Sequence, residues 1–193
     1  MKRGARINWA MIFVAPVVGV GILVGLWLAV AAGRENILLA QAMDQILGIV
    51  DVARDQATPS GASGAAATRN LMERLAKLSV MRVGPADKDG QRSMSNPWGE
   101  SLKVFVTPER QTVRIETRIK PHTCRRLLQF YGNDPAALGV QDFAVRDGDL
   151  SVPALWLPFY GTTPPKPLDA TAIARGCGQD VWVFLALTFG LRH

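Results

Sequence analysis

The chain has 193 residues, 48% hydrophobic and 20% charged, with a net charge of +6. That length holds one ordinary domain plus an appendage, and that balance excludes an intrinsically disordered chain. Lys and Arg are scattered along it, so no acidic or basic tail stands out. From Ile7 to Gly33 no residue is charged. About 20 apolar residues cross a bilayer core, so residues 1–33 read as a basic flank followed by a transmembrane helix. Lys2, Arg3 and Arg6 precede the run, and Arg34 and Glu35 end it. A basic flank on this side predicts a cytoplasmic N-terminus and a translocated remainder. Ala29-Val30-Ala31 would also serve as a cleavage site. The apolar run, however, exceeds the roughly 7–15 residues of an ordinary signal-peptide core, which favours a retained anchor.

Residues 34–57 continue the helix. Leu39, Met43, Ile46 or Leu47, Val50 and Ala53 recur at steps of three or four, with Arg34, Gln41, Asp44, Asp51 and Asp55 at other angles. This is an amphipathic pattern. No proline lies between residues 17 and 58, so anchor and continuation form one rod. Thr58-Pro59 stops it, and residues 58–193 are expected to form a globular head. After the small, polar 58–66, Leu71, Leu75 and Leu78 share one helical face, which predicts a short helix over 67–79. Residues 82–101, rich in Gly, Pro, Ser, Asn and Asp, read as an exposed loop ending in a turn at Asn96-Pro97-Trp98-Gly99.

There the period changes from 3.6 to 2. "LKVFV" and "TVRIETRIK" predict a hairpin turning within Pro108–Gln111, with Val113, Ile115, Thr117 and Ile119 alternating against Arg114, Glu116, Arg118 and Lys120. Pro121 suits the first turn of a helix. Cys124, Leu127, Leu128 and Tyr131 share a face of that helix, and Gly132 is expected to stop it. The proline-interrupted 139–161 predicts one or two short strands, the first near Asp142–Arg146, and 162–176 reads as loop with at most one helical turn. Residues 180–189, apolar on both faces, predict a buried central strand.

Cys124 and Cys177 are the two cysteines of the chain. Two unrelated thiols, or a reactive Cys124 beside His122, would fit the residues. Export and an even count favour one disulfide. With only His122 and His193 in the chain, a Cys/His metal site has too few spaced ligands. No nucleophile elbow, zinc-protease or phosphate-loop motif is present, so neither a catalytic set nor a cofactor is expected. Arg110, Arg114, Arg118, Lys120, Arg125 and Arg126 would make a basic patch across the hairpin and the cysteine helix, of the kind that holds nucleic acid. Glu109 and Glu116 dilute it, and a solvated sheet face is the simpler account.

Taken in order, Asn96-Pro97-Trp98-Gly99, the hairpin, Pro121 to Cys124 and Leu127, and Cys177 before Val181-Trp182-Val183-Phe184 resemble the heads of the type IVb pilins over roughly 36–189. The resemblance implies an α+β fold: a long N-terminal membrane and amphipathic helix packed on an antiparallel sheet, with a C-terminal region linked by a Cys124–Cys177 disulfide. It also implies a non-catalytic structural subunit, minor or divergent, of a pilus, secretion or conjugative apparatus. Such a subunit sits singly anchored in a bacterial inner membrane with a periplasmic head and contacts other pilin subunits through the N-terminal helix. The alternative is an anchored envelope component that does not polymerise. The family cleaves its leader after a glycine and carries Glu at the fifth mature position. Here Gly4 follows Lys2 and Arg3, but the fifth residue after it is Trp9, and no acid precedes Glu35.

Overall fold

A computed structural model describes residues 9–55, 63–78, 83–86, 92–147, 157–158, 168–178 and 182–191; within these, side chains are described at 25 and from 27 on, except at 86, 147, 157 and 158. Helix α1 is continuous over Trp9–Asp55. Two compact units divide between Leu38 and Leu39. In the first, Trp27, Leu28, Val30 and Ile37 are large apolar residues left exposed. Among the described residues, Trp27–Asp55 is long and apolar enough to cross a membrane by length and composition. From Leu39 onward, however, its apolar stripe lies inside protein: Leu39, Ala42, Ile46, Ile49, Val50 and Ala53 are buried. The whole of the expected span over 7–33 therefore precedes, in sequence, the buried stripe that begins at Leu39. The side chains of 9–24 lie outside the described residues.

The second unit is a seven-stranded sheet, wholly antiparallel in its pairings, with helices against one face. Its strands are β1 (Val83–Ala86), β2 (Arg92–Ser95), β3 (Ser101–Thr107), β4 (Thr112–Ile119), β5 (Val140–Asp147), β6 (Leu157–Pro158) and β7 (Val183–Gly190), in the spatial order β1-β2-β3-β4-β7-β5-β6. β3 and β4 form the hairpin, joined by a 3-10 turn at Pro108–Arg110 and by Gln111 in the left-handed region at φ 50°. Alternation sets the sheet's two faces. Leu102, Val104 and Val106 of β3, Val113, Ile115 and Ile119 of β4, Leu185, Leu187 and Phe189 of β7, and Phe143 and Val145 of β5 all join one core. α1 from Leu39, α2 (Gly64–Lys77, through Leu71 and Leu75) and α3 (Pro121–Asn133, through Leu127, Leu128 and Tyr131) supply the other side of that core. β7, last in the chain, sits between β4 and β5; Val183, Leu185, Leu187 and Phe189 face the core, and on its other face Arg146 covers Phe184.

Several local details depart from the sequence expectations. α2 begins at Gly64, three residues earlier than the leucine periodicity suggests, because Ser63 caps it by accepting the Ala66 N–H at 3.3 Å. Gly132 does not end α3. The helix runs on to Asn133, and the glycine serves packing: a Cβ there would sit 2.9 Å from Leu168 Cδ1. The expected loop over 82–101 instead contains the β1–β2 hairpin. Gly84 reads as a turn signal, but its missing Cβ lets the two strands close up, since a Cβ would lie 2.7 Å from Ser93 Oγ. The region before Cys177 holds a two-turn helix, α4 (Ala170–Gly176), capped by Asp169, which accepts the Ala172 N–H at 2.6 Å.

Candidate functional site

The turn after β2 is built around one side chain. Asn96 is 3% exposed, and its amide is saturated. Oδ1 accepts from the N–H of Trp98 at 3.0 Å and of Glu100 at 2.9 Å, closing the turn locally. Nδ2 donates to Thr117 Oγ1 and to the Arg118 carbonyl, both at 3.0 Å, tying the turn to β4. The Asn96 backbone adds a bond from its N–H to the Glu100 carbonyl and another from the Gly99 N–H to its own carbonyl, each 2.9 Å. Gly99 takes φ +85°, open to glycine at no steric cost. Thr117, the one polar residue on the core face of β4, passes its hydroxyl proton on to the Ser101 carbonyl at 3.2 Å. The four-residue turn is thus a polar clamp between β2, β3 and β4. A buried polar group of this kind is tolerated because every donor and acceptor is met.

At this same end of β4, where α3 begins, the disulfide holds α3 to the turn after α4. Cys124 lies in the first turn of α3, with Pro121 at the helix start, and Cys177 caps the end of α4. Both are fully buried, and their Cα atoms are 5.7 Å apart. Arg125 donates to the Gly178 carbonyl at 3.1 Å across the same junction. With Cys177 placed five residues before Trp182, the bridge anchors the entry into β7. Tyr131, further along α3, is buried with its hydroxyl donating to the Met43 carbonyl of α1 at 3.3 Å. Burial, and then the nearby Asp44 carboxylate, push its phenol well above the usual tyrosine range. At the end of α1 Arg54 reaches the Gly190 carbonyl at 3.2 Å, with Gly139 (φ +70°) leaving room for its guanidinium.

The six cations of the expected basic patch do not form one surface. Arg114 and Arg118 lie on the sheet face turned away from the core, and both are engaged: Arg114 pairs with Glu116 at 2.8 Å. Arg118 stacks over Trp182 at 4.5 Å and lies 3.7 Å from Glu100. Arg125 and Arg126 sit on the exposed side of α3, in the helical layer behind the sheet. Arg110 is in the 3-10 turn at one end of β4 and Lys120 at the other. The strand period that exposes the arginines of β4 sends them to the face opposite the helix, and the pattern within each element could not show that. Arg146, stacked over Phe184 at 4.2 Å on that same outer face, went unnoticed because its neighbour in space is far away in sequence. Thr68 was missed as well: it sits mid-helix with no local signal, yet accepts the Val106 N–H at 2.9 Å. Phe105 could have been found, since the alternation that buries Val104 and Val106 must turn it outward. Among the described residues no three of His, Cys, Asp and Glu are placed to hold a metal ion.

No family model and no curated protein matches the chain. Among solved structures it is similar to the crystal structure of a type IV b pilin from Salmonella typhi, with 18% sequence identity, a TM-score of 0.50, and coverage of 80% of this chain and 97% of that one. At that identity the likeness is one of fold: an apolar N-terminal helix, an antiparallel sheet and the Cys124–Cys177 bridge compose a pilin-like α+β architecture.

Proposed function

We propose that this chain is a non-catalytic structural subunit of a type IVb pilus or of a related secretion or conjugative apparatus, anchored in a bacterial inner membrane with its head in the periplasm. One observation carries the reading. A single helix joins an uncharged N-terminal run to a stripe, Leu39 to Ala53, that forms part of the core of a pilin-like head. A helix of this kind has two apolar environments to satisfy, and neighbouring helices of the same kind bury the half that the head leaves open. A clamp of saturated hydrogen bonds and a buried disulfide suit a head that must persist outside the cytoplasm without chaperones.

The departure at the N-terminus favours a second reading. The Glu expected five residues after the cleaved glycine neutralises a neighbour's amine within a fibre, where an unpaired charge is costly; Trp9 stands there instead. A singly anchored envelope component needs no such Glu. N-terminal sequencing of the mature chain from membranes, combined with shearing of surface fibres, separates the two. Cleavage after Gly4 with the chain in the sheared fraction supports the pilus subunit. An intact Met1 with the chain confined to membranes defeats it and leaves the anchored component. Cleavage after Ala31 removes the anchor and defeats both.

A further inference from the structure

β2 stays beside β3 for two pairs only, Met94 with Leu102 and Ser95 with Ser101, while Arg92 pairs with Ala86 of β1. Strand alternation decides what the rest of that edge presents. The Val106 N–H reaches Thr68 Oγ1, so it points away from β4. Val104, two residues earlier, turns its N–H and C=O to the same side, and no strand among the described residues meets them. α2 runs along the groove and closes it at the Val106 end, where Thr68 takes the Val106 N–H and a Cβ on Gly64 would lie 2.9 Å from the Val106 carbonyl oxygen. Between α2, the β1–β2 hairpin and this edge lies a groove of about 710 Å³.

The groove has an apolar floor and a charged border. Phe105, 43% exposed, lines it on the sheet side and Met72 on the helix side. Around them stand Lys103, Arg69 and Arg92, against Glu73 as the one acid of the lining among the described residues. An open strand edge is a template for another strand. Here the border discriminates between partners. The β3 edge of a second copy would bring the same Lys103 and Arg92, and like charges opposed across a ladder are unfavourable. Carboxylates would be attracted from either face of an added strand, because Lys103 stands on one side of the sheet and Arg69 on the other.

We propose that the β3 edge at Lys103–Val106 is a docking site for an extended acidic segment of a partner protein, which adds as a further strand beside β3. Its main chain takes the Val104 N–H and C=O, its carboxylates meet Lys103, Arg69 and Arg92, and an apolar side chain covers Phe105. In this mode of recognition the main chain supplies affinity and alternate side chains supply selectivity. The inference does not depend on whether the chain polymerises.

The test uses the full-length chain in detergent micelles and a fluorescent peptide of about eight residues alternating valine with aspartate and glutamate, read by anisotropy. Two further peptides carry N-methyl groups on one or the other alternate set of backbone amides. Saturable binding is expected, weakened about tenfold or more (about 1.4 kcal/mol) by one methylated set and not by the other. The same loss is expected with Lys103→Glu, checked as folded by circular dichroism, and with lysines in place of the peptide's acids. Absence of binding overturns the proposal, as does equal binding of the two methylated peptides or an unchanged affinity in Lys103→Glu. Self-association of the chain that competes with the peptide and vanishes in Lys103→Glu makes a second copy the occupant, and overturns it too.

Discussion

Replacing Asn96 by aspartate alters the chemistry of one atom and almost none of the shape. Oδ1 keeps its two bonds, from Trp98 and Glu100. Where Nδ2 donated to Thr117 Oγ1 and the Arg118 carbonyl, an oxygen now faces two acceptors at 3.0 Å. Thr117 cannot turn its proton to the newcomer without releasing Ser101. A buried acceptor left unmet costs about 1–3 kcal/mol, so Asn96→Asp should lose about 2–5 kcal/mol, a large share of the roughly 5–15 kcal/mol that stabilises a domain. At about 2–4 °C per kcal/mol for a chain of this size, Tm should fall on the order of 5–15 °C. Protonation would restore one donor, and burial against two acceptors raises the folded carboxyl's pKa. The deficit should therefore shrink as pH falls through that raised value and level off near about 4, where the unfolded carboxyl also takes up its proton. The assay is thermal unfolding of the full chain in detergent, followed by tryptophan fluorescence, since Trp98 lies in the turn. Thiol titration of the same samples shows that the bridge is intact. A Tm within about 2 °C of the parent at neutral pH, which at that scale is less than about 1 kcal/mol, would refute the clamp.

The bridge closes a sequence separation of 53 residues. The Cys124→Ser, Cys177→Ser double variant should lose about 4 kcal/mol in denaturant unfolding, and two free thiols in the non-reduced, exported parent would remove the basis for that figure. Tyr131 should make the fold alkali-sensitive. Its folded phenol titrates above the unfolded value of 10.0, first through burial and then through Asp44. Above about pH 10 the unfolded state therefore binds fewer protons than the native state, and stability falls as pH rises; below that there is no dependence from this group. Denaturant midpoints across pH 8–11 should decline more steeply in the parent than in Tyr131→Phe, and parallel curves would contradict the buried-phenol account. Gly139→Ala places a Cβ on a φ of +70° and into the Arg54 guanidinium. The left-handed backbone costs about 1–2 kcal/mol and the displaced bond to Gly190 about 1.5–3 kcal/mol, so a loss of about 2.5–5 kcal/mol is expected in the same assay.

Elements with a strong internal period were legible. The β3–β4 hairpin follows from alternation over eight residues of β4, and α3 from Pro121 followed by Cys124, Leu127, Leu128 and Tyr131 at helical spacing. The β1–β2 hairpin was not, because the glycine that permits close strand approach is written with the same letter as a glycine that turns the chain. The turn at Asn96 was legible as a turn. Its role as a clamp was not, since its partners Thr117 and Arg118 lie 21 and 22 residues away. The basic residues, for which a solvated sheet face was the simpler account, lie in two layers: Arg114 and Arg118 on the outer face of the sheet, Arg125 and Arg126 on α3.

By itself, the sequence determined what short-range physics governs. It set the uncharged run from Ile7 to Gly33, the helical stripe from Leu39 to Ala53, and the apolar character of β7. These depend on side-chain spacing and on transfer out of water, properties that a window of ten or twenty residues contains. Only the tertiary structure decided that β7 enters between β4 and β5, that Asn96 fastens to β4, and that β2 leaves β3 after two pairs to open the groove beside Phe105. Strand order and edge exposure depend on which distant residues bury one another most completely, and no local pattern records that choice.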